Sequence, residues 1–183
     1  FFAMKAELCP LSCTGGKFDL IKIPMVTLID TLDTLVILGN HSEFRRVVDI
    51  VSTGLPDFAL DVNVSVFETT IRVLGGLLAA HLMAIDPKLA IYVRYFPTVV
   101  IISIIYIISF IQEPSATVDS ADPTALIEPY DGKLLKLAVD LGERLMPSFD
   151  TKTGIPYGTV NLLYGVPIGE TKIASTAGAG SLL

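Results

Sequence analysis

An all-α fold is predicted by three observations. Apolar residues recur at helical spacing in successive stretches, short links separate the first of these stretches, and turn or capping residues bound each one. Residues 63–82 carry the strongest pattern. Ser65 stands three residues before Glu68, the spacing of a capping box. Phe67, Ile71, Leu74, Leu78 and Leu82 then come at three- and four-residue intervals, predicting the buried stripe of a helix. Another face carries Glu68 and Arg72 at i, i+4, followed by Gly75, Gly76 and Ala79. Two glycines inside a helix cost roughly 1 kcal/mol each relative to alanine. A demand other than helix stability therefore keeps that face small.

Taken in order, residues 1–23 have no clean period, and Thr14-Gly15-Gly16 predicts a turn. Pro24 is placed to open a helix in its first turn. Apolar positions 25, 28, 29, 32, 35 and 36 give that helix a broad stripe, with Thr27, Asp30, Thr31, Asp33 and Thr34 covering the rest and Gly39-Asn40 as its stop. Ser42 is the expected cap of a second helix, in which Phe44, Val47, Val48 and Val51 share a face and Gly54-Leu55-Pro56 ends the pattern. The short link predicts antiparallel neighbours, a helical hairpin. A loop over residues 57–63 leads into the helix at 63–82, and Pro87 breaks the pattern after it.

Residues 96–111 then run without a charge between Arg94 and Glu113. A bilayer span takes about 20 apolar residues, with about 17 as the lower range, and dense isoleucine also suits buried strands. Membrane-embedded stretch, core segment and insertion all stay open. Pro114, Pro123 and Pro129 with Glu113, Asp119, Asp122 and Glu128 predict an acidic surface linker over residues 112–130. Asp131 is the expected cap of a further helix with the stripe Leu134, Leu137, Leu141 and Leu145, stopped by Pro147. Glycine and proline punctuate residues 154–169, with residues 159–164 a strand candidate inside a short hairpin-like segment near 155–170. The chain starts on Phe1 rather than Met and stops at Leu183 without a closing element, as expected of part of a longer protein.

Composition narrows the function classes. The 183 residues are 51% hydrophobic, with net charge -6 and mean hydropathy +0.63. No basic patch is visible, which argues against a nucleic-acid partner, and 17% charged residues do not make a solvated disordered chain. Cys9 and Cys13 are the only cysteines and His41 and His81 the only histidines, so no zinc spacing is present. A structural thiol, or half of a bridge to a segment outside the chain, is expected of the cysteines.

No phosphate loop or G-x-S-x-G elbow occurs. Asn40-His41-Ser42 and Asn63-Val64-Ser65 make Asn40 and Asn63 candidate N-glycosylation sites, the second in conflict with the capping role of Ser65. Asp30 and Asp33, at i, i+3 among threonines, are candidate carboxylates for catalysis whose ordinary reading is a solvated helix face. His81 has the ordinary reading of a packed or surface residue. Glu68 paired with Arg72 is, by periodicity alone, ordinary helix architecture.

Thr27-Leu28-Ile29-Asp30-Thr31-Leu32-Asp33-Thr34-Leu35, Leu38-Gly39-Asn40, and Val64-Ser65-Val66-Phe67-Glu68-Thr69-Thr70-Ile71-Arg72-Val73-Leu74-Gly75-Gly76 add a second line of argument. In this order they closely resemble the class I alpha-1,2-mannosidases of glycoside hydrolase family 47, in particular the ER degradation-enhancing alpha-mannosidase-like group. Pro10-Leu11-Ser12-Cys13, Gly154-Ile155-Pro156-Tyr157-Gly158-Thr159-Val160-Asn161-Leu162 and Gly169-Glu170-Thr171 extend the likeness over roughly residues 7–90 and 130–181.

The resemblance implies an (α/α)7 barrel of helical hairpins in the endoplasmic reticulum lumen. It also implies trimming of high-mannose N-glycans on misfolded glycoproteins with inversion, and a bound calcium ion. Glu68 matches the family's catalytic acid in its F-E-x-x-I-R motif, and Arg72 the arginine beside the sugar. A general acid beside an arginine at a helix N-terminus works against both, and needs burial or a neighbouring carboxylate to stay protonated.

Measured against the family, these 183 residues are a partial catalytic domain, an incomplete barrel expected to be inactive alone. The remaining catalytic carboxylates and the calcium ligand are expected beyond Leu183, with no metal ligand in the chain itself. Residues 96–130 have no family counterpart, and Cys13 is the candidate for a disulfide to an absent segment. The alternative function is a non-catalytic, lectin-like module that binds mannose glycans.

Overall fold

The computed structural model describes residues 7–9, 11–16, 20–86, 88, 89, 91 and 130–182. Pro87, the apolar run at 96–111 and the acidic segment up to residue 129 lie outside the described residues. The chain divides into two compact units, Phe1–Met83 with Gly132–Leu183, and Ala84–Asp131.

The first unit opens with a hairpin absent from the sequence expectation. β1 (Glu7–Cys9) pairs antiparallel with β2 (Thr14–Gly16), Cys9 opposite Thr14. Thr14-Gly15-Gly16 is thus a strand, and the turn lies before it, where Cys13 takes a positive φ of 50°. α1 (Val26–Ile37) buries Val26, Leu28, Ile29, Leu32 and Val36. Pro24 does not open it. Met25 is the N-cap, in the left-handed region at φ 63°, and its carbonyl accepts from the N–H groups of Leu28 and Ile29. Gly39 does stop it: at φ 71° its N–H donates to the Val36 carbonyl and that of Asn40 to the Leu35 carbonyl, both at 2.9 Å, closing a Schellman motif.

α2 (His41–Gly54) packs along α1 with Phe44, Val47, Val48 and Val51 inside, so the hairpin of helices stands. Its cap is Asn40 rather than Ser42. The Asn40 carboxamide oxygen accepts from the Glu43 N–H at 3.3 Å, and the Ser42 hydroxyl donates to that same oxygen.

β3 (Asn63–Ser65) leads directly into α3 (Val66–Ile85). Its strand partner is β4 (Thr159–Asn161), antiparallel, with Val64 opposite Val160. The hairpin-like segment near 155–170 is therefore only partly local. Asn161 and Gly165 close its turn with two 2.8 Å backbone bonds, but the ladder is made to β3. α4 (Lys133–Leu145) buries Leu134, Leu137, Ala138, Leu141 and Leu145 as its stripe predicts, and packs on α2 and α3. It is capped by Gly132 at φ 79° rather than by Asp131, and runs into a 3-10 turn, Met146–Phe149, that contains Pro147. A short α5 (Thr176–Gly180) comes last.

The helix at 63–82 forms, but its inward face is not the predicted one. Val66, Thr69, Val73, Leu77 and Ala80 are buried, whereas Ile71, Leu78 and Leu82 are exposed. The period is right and the phase is off by one residue. α1 and α4 pack against the side lined by smaller residues, and the larger apolar side chains are left outward. By length and composition alone α3 is also apolar enough to cross a membrane. In the second unit the described residues include the end of α3 and a turn in which the Asp86 carboxylate accepts from the Lys88 N–H at 2.8 Å.

Candidate active site

The sequence of α3 sets up its own distortion. Val66–Glu68 is α-helical, Thr69–Leu74 is a π-helical turn, and Gly75–Ile85 is α-helical again. The Thr70 hydroxyl donates back to the Val66 carbonyl at 2.8 Å, a contact that bends helices. The Thr70 carbonyl lies where a Cβ on Gly75 would meet it at 3.4 Å, so a residue without a side chain suits that position. A Cβ on Gly76 would meet Ile29 Cγ2 at 3.2 Å and the Ile29 carbonyl oxygen at 3.5 Å. Gly76 is thus what lets α3 approach α1. That approach brings Asp30, one residue after Ile29, toward the first turn of α3.

Glu68, Arg72 and Asp30 form the resulting cluster. Only half of the expected capping box exists. Ser65 Oγ accepts from the Glu68 N–H at 3.4 Å, but the Ser65 N–H donates to the Leu20 carbonyl, so the Glu68 carboxylate is not drawn back to it. Instead Glu68 Oε2 accepts from Arg72 Nε at 2.7 Å, and Arg72 Nη1 lies 3.6 Å from Asp30 Oδ2. The side chains of Glu68, Asp30 and Arg72 are 21%, 35% and 43% exposed, so the carboxylates are partly sheltered while the guanidinium opens to solvent.

Burial pushes the Asp30 carboxyl above its ordinary value. Arg72 pulls it down, Asp33 and Glu68 add to the rise, and the net direction is up. The Arg72 guanidinium is raised chiefly by its hydrogen bond to Glu68. Beside them the Thr69 hydroxyl is fully buried with no hydrogen-bond partner among the described residues. Such a group costs about 1–3 kcal/mol, and the π turn that carries it is of a kind that concentrates at functional sites.

Of the residues singled out from sequence, Glu68 and Arg72 are therefore brought together. Asp30, whose ordinary reading is a solvated surface residue, joins them. Asp33 does not: its Oδ1 accepts from the N–H and hydroxyl of Thr34. His81 lies roughly 20 Å along α3 from Glu68 at the helical rise. Asn40 is exposed at the head of α2. Asn63 is exposed within β3, and its Oδ1 accepts from Asn161 Nδ2 at 2.9 Å. Cys13 is exposed on its turn, and Cys9 and Cys13 are not bridged to each other. Among the described residues no group of three or more His, Cys, Asp or Glu side chains is placed to hold a metal ion.

The sequence profile described as Glycosyl hydrolase family 47 matches residues 2–183. The chain is 42% identical over 181 residues to ER degradation-enhancing alpha-mannosidase-like protein 2 of Mus musculus, covering 97% of this chain and 24% of that protein. It is 43% identical over 176 residues to Alpha-mannosidase I MNS4 of Arabidopsis thaliana, covering 96% and 22%. The chain thus spans about a quarter of the length of these curated relatives. Among solved structures, the alpha-1,2-mannosidase from Trichoderma reesei matches with a TM-score of 0.61 at 22% identity, over 94% of this chain and 28% of that one, a likeness of fold.

Proposed function

Because the chain belongs to glycosyl hydrolase family 47, we propose that its Glu68–Arg72–Asp30 cluster is the acid end of a mannose-binding site. The parent activity would be that of an alpha-1,2-mannosidase trimming N-glycans of misfolded glycoproteins in the endoplasmic reticulum. The observation that carries this reading is the Glu68 carboxylate, released from its cap and held 2.7 Å from Arg72 at the start of a π-distorted helix. Glu68 protonates the leaving glycosidic oxygen, Arg72 binds hydroxyl groups of the sugar, and Asp30 holds the guanidinium from its other side. Hydrolysis with inversion then requires a second carboxylate to activate water across the ring.

That base, and the ligand of the calcium ion implied by the resemblance, are expected beyond Leu183. Further helix pairs of an (α/α)7 barrel would cover the exposed Ile71, Leu78 and Leu82, and Cys13 would bridge to a segment of the same parent.

The test is mannose release from high-mannose glycan by the full-length natural protein. Glu68→Gln is expected to lower release by about 10²–10⁴-fold, the usual contribution of a general acid, and normal trimming by that variant would refute the role. The 183-residue chain alone is expected to show no turnover. Calcium- and Glu68-dependent release from it would overturn that expectation. One feature favours a lectin-like alternative: both carboxylates, Asp30 and Glu68, converge on the same guanidinium. Glycan binding without release, indifferent to Glu68→Gln, would select it.

A further inference from the structure

The wide turn of α3 lies between two anchors that fix the helix independently. Before it, β3 runs straight into the helix. Ser65 pairs with Thr159, the Val66 N–H donates to the Gly158 carbonyl at 3.0 Å, and Val66 is buried. After it, Gly76 lies against Ile29 of α1, and Leu77 and Ala80 are fully buried. A π turn takes in one residue more than an α turn. The helix beyond it is therefore turned back by one residue's share, about 100°. Thr69–Leu74 is where the two anchors are reconciled, and the reacting groups stand at its start: Glu68 caps the turn and Arg72 lies inside it. The turn thus sets how Arg72 meets Glu68 at 2.7 Å and Asp30 at 3.6 Å.

One side chain ties this turn at both ends. The Thr70 hydroxyl donates to the Val66 carbonyl at 2.8 Å, in the α-helical segment before the turn. The Thr70 carbonyl accepts from the N–H of Gly75, five residues on, where the α-helical segment after the turn begins. Its neighbour offers no such tie, because the Thr69 hydroxyl is buried with no hydrogen-bond partner among the described residues. A bond of the same kind as that of Thr70 occurs on α2, where the Ser52 hydroxyl donates to the Val48 carbonyl at 2.6 Å inside an ordinary α-helix. Ser52 therefore makes a like-for-like control, remote in sequence from the Glu68 cluster.

We propose that Thr70 is a positioning residue for the reaction: by bonding the Val66 carbonyl it holds the π turn open, and the turn keeps the Glu68 carboxylate and the Arg72 guanidinium in register. Thr70 acts through those two residues and not on the sugar itself. The proposal rests on the reading of Glu68 as the acid of a mannose-binding site, and one set of variants separates the two.

Mannose release from a high-mannose oligosaccharide is measured with the full-length natural protein as kcat and KM. Thr70→Val keeps the side-chain shape and removes the donor. It is expected to lower kcat about tenfold with KM little changed, less than the about 10²-fold that a 1 Å misplacement can cost. That split is the sign of an interaction lost in the transition state rather than in sugar binding. Thr70→Ser, which restores the donor, is expected to recover most of kcat, and Ser52→Ala to leave kcat and KM at the parent values. Where Thr70→Val does not fold, Thr70→Ala removes the same donor and is read in the same way. Parental kcat in the donor-free variant overturns the positioning role, as does a loss in Thr70→Ser equal to that in Thr70→Val, or an equal loss in Ser52→Ala. Glu68→Gln is assayed beside them. If it loses release while Thr70→Val does not, the positioning role alone falls; if it keeps full release, the Glu68 reading falls and takes the positioning role with it.

Discussion

The two i, i+4 acid–arginine pairs, Glu68–Arg72 on α3 and Asp140–Arg144 on α4, are built from the same local recipe and end in opposite conditions. Arg144 holds Asp140 with Nε at 3.1 Å and Nη2 at 3.0 Å, and its Nη1 donates to the Leu162 carbonyl at 3.1 Å. Asp140 Oδ2 also accepts from the Phe58 N–H at 2.7 Å. This pair ties α4 to the loop before β3 and to the end of β4, and nearly every polar atom in it is used. In the α3 pair the arginine is shared with a second, half-buried carboxylate, the helix is π-distorted, and a buried hydroxyl is left over. Saturated bonding marks a structural clasp, whereas two carboxylates sharing one arginine beside a distorted backbone mark a candidate site. The i, i+4 spacing by itself separates nothing.

The comparison breaks most sharply on activity. Glu68→Gln is expected to reduce mannose release by about 10²–10⁴-fold while moving the unfolding midpoint little. Asp140→Asn should do the reverse. Comparable activity losses from the two variants at matched stability would deny the α3 pair its distinct role.

Stability gives the next largest effect. Asp140→Ala strips the Phe58 N–H and Arg144 of their acceptor, and charged hydrogen bonds contribute about 1.5–3 kcal/mol each. Because Asp140 and Arg144 are 28% and 24% exposed, solvent screening reduces this, and a loss of about 2 kcal/mol is expected from denaturant titration. A loss below about 0.5 kcal/mol would mean that the clasp is ornamental.

A pair of glycines sharpens the contrast further. Gly142 on α4 has open space where a Cβ would stand, so Gly142→Ala should gain about 0.5–1 kcal/mol from helix propensity alone. Gly76→Ala has the same propensity gain, but its Cβ meets the buried Ile29. Overpacking costs of about 1–3 kcal/mol then give a net loss near 1 kcal/mol. Equal gains from both would show that α1 and α3 do not depend on their close approach.

How much of this was legible in the sequence depends on whether the signal was local. The Leu134–Leu145 stripe, the α1 stop at Gly39 and the face of α2 follow from period and cap chemistry, which act within a turn or two. The phase of α3 was not legible. Ile71, Leu78 and Leu82 look like core by size, but the neighbours α1 and α4 chose the side with Thr69, Val73 and Ala80, where helices can come close. β4 was visible as a strand but not its partner, since the Asn63–Asn161 contact spans 98 residues. Glu68 and Arg72 emerged from the family resemblance. Asp30 did not, because at i, i+3 among threonines it has every local mark of a solvated residue. What changes its character is Gly76, a residue on another helix.

The smallest effect, and the most specific to the comparison, is the sign of the pH dependence. Burial pushes the Asp140 carboxyl up, but the Arg144 and Phe58 hydrogen bonds outweigh it and its value falls below normal. Its contribution to stability is therefore present above the ordinary aspartate range and is lost as pH falls through the lowered folded-state value. Asp30 shifts the other way, with Asp33 and Glu68 joining burial against Arg72. Its contribution is present below the ordinary range and is lost as pH rises through the raised value. Between about pH 3 and pH 6, where aspartates titrate, unfolding midpoints should diverge accordingly. Asp140→Asn should become progressively less stable than the wild type as pH rises. Asp30→Asn, which fixes the neutral form, should become progressively more stable than the wild type over the same range. Slopes of the same sign in both variants would mean that Arg72 satisfies Asp30 as fully as Arg144 satisfies Asp140, and the distinction between clasp and site would then fail at its electrostatic root.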